Sequence, residues 1–282
     1  MKVKVLCIGD IVGRPGRYIL SQVLKEQIRQ RSIDCVIANA ENAAGGSGIT
    51  AQIYDKLLKY GVHLVTLGDH AYRKREIIST LESAGNIVRP ANLSPGAAGR
   101  DYAVYQTAKG PRVAVVCLIG RIFMKPADCP YAKIDSLLMK LQNEADLVFV
   151  EMHAEASSEK IALGYYLDGK VACVYGTHTH VVTADERILP KGTAAITDIG
   201  MTGSHDSVLG RKTENVIRAF RTQMPYPFEV ATDDLRISAI EVTYDTQTRR
   251  AERIERLQIC ESSHELAGYD SDDGRPEYYA EY

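Results

Sequence analysis

The feature of this sequence that most constrains its fold is a series of short apolar runs separated by segments of helical pattern. The runs are rich in Val and Ile and end at glycine or at a polar cluster, which predicts strands. They are "KVKVLCIG" (2–9), "DCVIANA" (34–40), "VHLVTLG" (62–68), "PRVAVVCLIG" (111–120), "ADLVFVEMH" (145–153), "KVACVYG" (170–176) and "TAAITDIG" (193–200). Because the runs are continuously apolar rather than alternating, we expect strands buried on both faces.

The segments between these runs carry apolar residues at helical spacing. They are "GRYILSQVLKEQIRQR", "TAQIYDKLLKYG", "RKREIISTLESAG" and "YAKIDSLLMKLQNEA". Two later runs, 236–245 and 251–260, alternate apolar and polar residues and predict an antiparallel hairpin around "TQTR". This order of strands and helices predicts an α/β fold.

The chain shows no internal repeat and no linker, which predicts one main domain over residues 1–261. The segments 89–101 and 121–131 are rich in Pro and Gly, and we expect them to form loops that cover a cleft. Residues 262–282 contain six acids, one Arg and few aliphatic residues. Such a composition predicts an acidic, mobile C-terminal tail rather than part of the core.

Charge and hydropathy exclude several classes of protein. Lys and Arg total 34 against 36 acidic residues, so no basic field is available for strong nucleic-acid binding. The opening "MKVKVLCIGD" is too short for the apolar core of a signal peptide, and no stretch approaches eighteen apolar residues. We therefore expect a cytoplasmic protein that does not span a membrane. The six cysteines form no CxxC pair and four lie in apolar runs, which predicts structural thiols.

Polar residues follow almost every predicted strand. In open α/β sheets, ligands bind beyond the carboxyl ends of the strands, so these positions are candidates for function. They are Asp10, Glu41, Asn42, Asp69, His70, Glu151, His153, His178, His180 and Asp198. Taken singly, Asp10 is equally explained as a helix cap and His153 as a core histidine with a hydrogen-bond partner. Taken together, they indicate a reaction centre.

The motif "GTHTHV" carries the most specific information among these positions. Two histidines two residues apart on an extended backbone point to the same side, so they can reach one metal ion or two adjacent ions. Imidazoles, carboxylates and an amide oxygen suit Zn, Mn or Fe better than Ca. The absence of cysteine from the set disfavours a closed structural zinc site. Because the set exceeds what one ion needs, a two-metal site with a shared carboxylate is the better interpretation.

The order of these residues resembles the calcineurin-like metallophosphoesterases. Within that superfamily, "GDIVGRPGR", "NAENAAGGSGIT", "HAEASSEK", "GTHTHV" and "TDIGMTG" resemble the YmdB family of bacterial phosphodiesterases, over nearly the whole chain up to about residue 260. The resemblance implies a four-layer α/β/β/α sandwich and a centre of two metal ions, iron or manganese, with zinc as an alternative. It further implies hydrolysis of cyclic nucleotides, including 2′,3′-cyclic ones. Homo-oligomer formation is an expectation at the level of the family.

Carried over by position, the resemblance implies a role for each site residue. One metal ion would be held by Asp10, Glu41, Asn42 and His180. The other would be held by Glu41 as the bridging ligand, Asp69, His153 and His178. His70 would protonate the leaving oxygen. The chain departs from the family at Asp69, where asparagine is usual, at Ala71-Tyr72, where Thr-Trp is usual, and from most of the superfamily at Val12, where histidine is usual.

Two functions from different classes remain open at the level of sequence. The first is a dinuclear metal-dependent phosphodiesterase acting on small nucleotide phosphodiesters such as 2′,3′-cyclic AMP. The second is a metal-bound regulatory or scaffold protein with weak or vestigial phosphoesterase activity, for which the departure at Asp69 is the motive. A nucleic-acid-binding module is the least supported of three candidate functions, because basic residues cluster only in "RKR" at 73–75.

Overall fold

The structure, a computed structural model, describes residues 1–260 of the chain. The expectation of a mobile tail at 262–282 lies outside the described residues. Within them, no helix is both long enough and apolar enough to cross a lipid bilayer.

The described residues form fourteen strands and six helices. In chain order they are β1 (Lys2–Ile8), β2 (Asp10–Ile11), α1 (Gly13–Arg31), β3 (Cys35–Asn39), α2 (Ala51–Tyr60), β4 (Leu64–Thr66), α3 (Ile77–Ser83), β5 (Ile87–Val88), β6 (Tyr102–Gln106), β7 (Arg112–Ile119), α4 (Pro130–Leu141), β8 (Leu147–His153), α5 (Ser157–Tyr166), β9 (Cys173–Thr177), β10 (Arg187–Ile188), β11 (Ala194–Ile196), β12 (Met201–Ser204), α6 (Thr213–Thr222), β13 (Leu235–Asp245) and β14 (Arg250–Cys260).

The strands form two sheets, each with a parallel centre. The first has the order β2-β12-β13-β1-β3-β4-β5, with β14 paired to β13, and its β1, β3, β4 and β5 run parallel. The second has the order β10-β11-β9-β8-β7-β6, and its β7, β8, β9 and β11 run parallel. The predicted hairpin at 236–260 is confirmed as the antiparallel pair β13 and β14.

Helix boundaries follow local chemistry where the sequence supplies a start or a stop signal. The Thr50 hydroxyl caps α2 by accepting a hydrogen bond of 3.2 Å from the Ile53 amide. Gly61 ends the same helix at φ 113°, a left-handed conformation that glycine adopts without steric cost. α4 begins at Pro130, whose missing amide proton would have no partner in the first turn.

Three apolar clusters separate four layers. The first cluster packs α1, α2 and α3 against the outer face of the first sheet, as Leu20, Leu57 and Leu6 show. The third packs α4 and α5 against the outer face of the second sheet. The second lies between the sheets, where Cys7 and Phe149 belong to one cluster. The α/β/β/α sandwich implied by the resemblance is therefore confirmed. It explains the continuous apolar runs, because both faces of the central strands are covered.

The predicted strand over 193–200 is wrong in its second half. β11 ends at Ile196, and the chain then crosses from the second sheet to the first, where Met201 pairs with Asp10. Glycine permits the crossing: a Cβ atom on Gly9 would lie 2.1 Å from the Gly200 oxygen, and one on Gly176 would lie 1.8 Å from the Thr197 oxygen. The two sheets therefore approach each other closely at the carboxyl ends of β1 and β9.

The segments 89–101 and 121–131 are irregular over most of their length, with Pro130 and Tyr131 already in α4. The buried side chain of Asn92 ties them together. It donates to the Asp128 oxygen at 2.9 Å and to the Ile119 oxygen at 2.8 Å, and it accepts from the Ile119 amide at 2.8 Å. The segment 121–131 follows β7 of the second sheet and the segment 89–101 follows β5 of the first. Asn92 joins them at the end of β7, where Ile119 pairs with His153.

Candidate metal centre

The predicted site residues meet where the carboxyl ends of the two sheets approach each other. Asp10 follows β1, while Glu41 with Asn42 follows β3, and Asp69 with His70 follows β4. His153 ends β8, and His178 and His180 follow β9. The side chains of the first sheet thus face those of the second.

Four ligand atoms converge on one point. His153 Nε2 lies 3.0 Å from Asp69 Oδ1, 3.2 Å from Glu41 Oε1 and 3.1 Å from His178 Nδ1. These four residues offer one ligand atom each, and all four atoms lie within 4.8 Å of one another. Metal–ligand bonds of about 2.0–2.2 Å place neighbouring ligand atoms at about this separation. The cluster therefore suits a transition-metal ion.

A second group of ligand atoms adjoins the first through Glu41. Asp10 is fully buried, and its Oδ1 has no hydrogen-bond partner. That oxygen lies 4.0 Å from His180 Nε2, which is itself 3.1 Å from the Asn42 amide nitrogen. A buried carboxylate oxygen without a partner is costly unless a cation neutralises it. The unpartnered Asp10 oxygen beside His180 therefore suits a cation, and Asn42 Nδ2 joins this pair of residues to Glu41.

Each of the three histidines is held through the ring nitrogen that points away from the centre. His153 Nδ1 lies 2.9 Å from Thr177 Oγ1, and His178 Nε2 lies 3.3 Å from Glu155 Oε2. His180 Nδ1 lies 3.2 Å from the Leu209 oxygen. Histidines that ligate metals usually donate their remote N–H to such an acceptor, which fixes the tautomer and the ring plane.

The electrostatics of the cluster favour bound cations. Burial raises the pKa of Asp10 well above its usual value, although the charge of His153 acts in the opposite direction. Burial opposes ionisation of Glu41 as well, but the charge of His153 lowers the pKa of Glu41 to about 2. Burial also lowers the pKa of His180 to about 4. His180 is therefore neutral at physiological pH, and its ring can serve as a ligand without first losing a proton.

Asp69 is held as an anion by two histidines of the centre. Burial opposes its ionisation, but hydrogen bonds from His153 and His178 bring the pKa of Asp69 below its usual range. The pKa of His153 shifts in the opposite direction, upward. Burial acts to lower the pKa of this histidine, but Glu41 and then Asp69 raise it well above its usual value. The cluster without metal is thus a charged network in which a cation can replace the proton of His153.

His70 lies beside the cluster rather than in it. Its Nδ1 is 2.8 Å from Asn42 Oδ1, and its backbone amide donates to Glu41 Oε2 at 2.9 Å. Its Nε2 is 3.6 Å from Asp69 Oδ2, and 24% of its side chain is exposed. The ring therefore borders both the centre and the solvent.

The extended backbone predicted for "GTHTHV" is wrong. β9 ends at Thr177, and both histidines have left-handed backbone conformations, with φ of 95° at His178 and 63° at His180. The two rings therefore reach different parts of the centre. Such conformations persist in non-glycine residues only where the surroundings enforce them.

Asp198, one of the predicted strand-end residues, supports this bend and does not join the ligand atoms. It accepts a hydrogen bond of 2.8 Å from the Thr179 hydroxyl and forms a buried ion pair of 2.6 Å with Lys160 of α5. Tertiary contacts thus hold the backbone bend at His178 and His180, and backbone periodicity does not reveal such contacts.

Sequence reasoning missed three residues that support the centre: Thr177, Glu155 and Lys160. All three lie within stretches that carry the family resemblance, Thr177 in "GTHTHV" and the other two in "HAEASSEK". Their presence in long motifs was the available signal. Their roles depend on which ring nitrogen or carboxylate they meet, and this is visible only in the folded chain.

Comparison with known proteins identifies relatives that align with nearly the whole chain. The chain is 43% identical over 257 residues to a 2′,3′-cyclic-nucleotide 2′-phosphodiesterase of Bacillus subtilis (strain 168), covering 91% of this chain and 97% of that protein.

Solved structures agree with this similarity. A crystal structure of a hypothetical protein from Thermus thermophilus has a TM-score of 0.86 and 42% identity, covering 92% of this chain and all of the other. One described as a novel phosphatase, from Mycoplasma pneumoniae, has a TM-score of 0.85 and 32% identity, covering 92% and 94%. The family model described as YmdB-like protein matches residues 6–257. The chain is therefore a metallophosphoesterase that belongs to the YmdB-like family.

Proposed function

We propose that this protein is a dinuclear metal-dependent phosphodiesterase that hydrolyses small nucleotide phosphodiesters, with 2′,3′-cyclic nucleotides as the preferred class. The observation that carries the proposal is the convergence of Glu41, Asp69, His153 and His178 beside the unpartnered buried oxygen of Asp10. The similarity to the Bacillus subtilis phosphodiesterase supports the choice of substrate class.

In this proposal the residues divide the work as their positions allow. Asp69, His153 and His178 would hold one cation, Asp10, Asn42 and His180 would hold the other, and Glu41 would contribute to both. Iron or manganese is the expected metal, with zinc as the alternative. Bound there, two such ions supply the Lewis acidity that activates water and neutralises charge on the phosphoryl oxygens. A protein nucleophile is then unnecessary, because phosphoryl transfer asks mainly for positioning and charge stabilisation.

Asn42 links its proposed ligand role to the proton donor. Its Nδ2 faces Glu41 at 3.2 Å and His180, while its Oδ1 faces His70. Ligation through oxygen requires a half turn of the amide, after which Nδ2 donates to His70 Nδ1. The proton of a neutral His70 then lies on Nε2, away from Asn42, where it can be given to the leaving oxygen.

We further propose that the loops 89–101 and 121–131 cover the substrate cleft. The Asn92 hydrogen bonds support this role, since they join the two segments at the end of β7 next to His153.

The function is tested by metal analysis and turnover on the same sample. Protein loaded with Mn²⁺ or Fe²⁺ is assayed against 2′,3′-cyclic nucleotides, 3′,5′-cyclic nucleotides and an aryl phosphodiester. We expect hydrolysis, fastest for the 2′,3′-cyclic class, and loss of at least about 100-fold in His178→Ala. His63→Gln, at the opposite end of β4 from Asp69, is the matched histidine control and keeps its activity. Absence of hydrolysis by fully loaded protein contradicts the proposal.

The second candidate function, a metal-bound regulatory protein with weak activity, is favoured by one observation. Asp69 Oδ1 contacts His153 and also lies 3.4 Å from His178 Nδ1, so it adds a third negative charge to the centre. A cellular effect that requires the metal ligands but survives His70→Ala would favour this candidate over the enzyme.

A further inference from the structure

The carboxylate of Glu151 is fully buried behind the candidate ligands, between the two sheets. It belongs to β8, two residues before His153. Its Oε1 accepts hydrogen bonds of 2.6 Å from Asn39 Nδ2 and 2.7 Å from Thr177 Oγ1, while Oε2 accepts from the Thr66 hydroxyl and, at 3.2 Å, from the Tyr175 hydroxyl. The four donors come from both sheets. We call Glu151 and these donors the Glu151 network.

One arm of the network reaches His153. The Thr177 hydroxyl has a single proton, which it donates to Glu151, so toward His153 Nδ1 it can only accept. His153 Nδ1 must therefore carry a proton. In the neutral ring this leaves the lone pair on Nε2, the atom that faces Glu41 and Asp69.

The other arm reaches Glu41. Asn39 uses its amide nitrogen on Glu151 and its amide oxygen to accept a hydrogen bond of 3.0 Å from the Glu41 backbone amide. The side chain of Asn39 is itself buried, so neither end has access to bulk water. Glu151 thus fixes which end of the Asn39 amide faces Glu41.

We propose that Glu151 is a positioning residue for the metal centre, which orients His153 through Thr177 and Glu41 through Asn39. The inference rests on the proposed function and deepens it, because it identifies the hydrogen bonds that position two candidate ligands from opposite sheets. Partners of this kind usually change metal affinity by about 10- to 100-fold when removed.

The test measures binding of Mn²⁺ by equilibrium dialysis, together with thermal unfolding of each variant. Thr177→Val keeps the shape of the side chain but removes the hydroxyl, and we expect about a tenfold or greater loss of Mn²⁺ affinity. Thr177→Ser restores the hydroxyl and should restore the affinity. Glu151→Gln should lose at least as much as Thr177→Val. Glu241→Gln, a change at a buried carboxylate of β13 paired with Lys4, is the control and should bind as wild type does.

The outcomes separate this inference from the proposed function. Wild-type protein that binds Mn²⁺, with Thr177→Val binding equally well, overturns the inference alone. Equal losses in Thr177→Ser and Thr177→Val overturn it too, because the hydroxyl would then not matter. Wild-type protein that binds no Mn²⁺ contradicts both. The expected affinity differences without any hydrolysis contradict only the proposed function.

Discussion

At the scale of single residues, Asp69 and Gly68 both lie against His153 of the candidate centre. Asp69 stands where the resemblance to the family leads us to expect asparagine, and it contacts two histidines of the cluster. Gly68 leaves room for one of those histidines: a Cβ atom at this position would lie 2.2 Å from His153 Nε2. The contacts of Gly68 and Asp69 with His153 therefore explain both residues.

Replacement of Asp69 by asparagine should strengthen catalysis and weaken metal retention. The change removes one negative charge from the candidate centre, so an anionic phosphodiester would be attracted more strongly while a cation bound there would be held less firmly. We expect kcat/KM to rise by about tenfold, equivalent to about 1.4 kcal/mol. Assays of Asp69→Asn and of the surface control Asp135→Asn at full metal occupancy check this. An Asp69→Asn enzyme that is unchanged or slower rules out the charge explanation.

Gly68→Ala should reduce metal affinity without any change of ligand. The added methyl group overlaps the His153 ring, and a shift that relieves the overlap displaces His153 Nε2 from the other candidate ligand atoms. We expect about a tenfold or greater loss of Mn²⁺ affinity.

Gly85→Ala is the matched control for this substitution, since a Cβ atom there has nothing within 4 Å. Equal metal affinities for the two alanine variants would show that His153 tolerates displacement.

At the scale of elements, the predictions succeeded where local sequence decides and failed where tertiary contacts decide. The apolar runs located β1, β3, β7 and β8 because strands buried on both faces must be continuously apolar. α6 escaped notice, and only two of its side chains, Val216 and Ala219, are buried. The bend after β9 also escaped, because Lys160 and Asp198 enforce it from other elements.

His63, the residue before β4, makes a pH-sensitive contact at the end of the strand opposite Asp69. His63 Nδ1 accepts a hydrogen bond of 2.9 Å from the Val36 amide of β3, and its ring stacks on Tyr105. Burial lowers the pKa of His63 below its usual value. The folded protein therefore binds fewer protons at this residue than the unfolded chain does. This contribution to stability is present above about pH 6.5 and is lost as the pH falls below it.

Thermal unfolding should reveal this contact. Between pH 7.5 and pH 5.5, the wild-type protein should lose more of its Tm than His63→Gln, whose side chain does not titrate. His205→Gln provides a comparison at another histidine whose pKa burial lowers. Parallel Tm curves for wild type and His63→Gln would contradict the assignment.

At the scale of the whole molecule, the family resemblance predicted more than periodicity could. Periodicity gave an α/β fold and the strand ends, whereas the four layers came from the resemblance and are confirmed by the three apolar clusters. The crossing at 197–200 was not predictable from an apolar run, since the run continues while the chain changes sheets. Candidate ligands could be named from sequence, but the Glu151 network could not, because its donors come from strands of both sheets.

The candidate metal centre joins the two sheets of the molecule, since its first-sheet carboxylates face the histidines of the second sheet. The most direct test measures the rate of 2′,3′-cyclic AMP hydrolysis as metal-free protein is titrated with Mn²⁺, with bound metal counted by elemental analysis. We predict that the rate is near zero up to one ion per chain and reaches its maximum at two. Full activity with a single bound ion, or no activity with two, would contradict the two-metal phosphodiesterase.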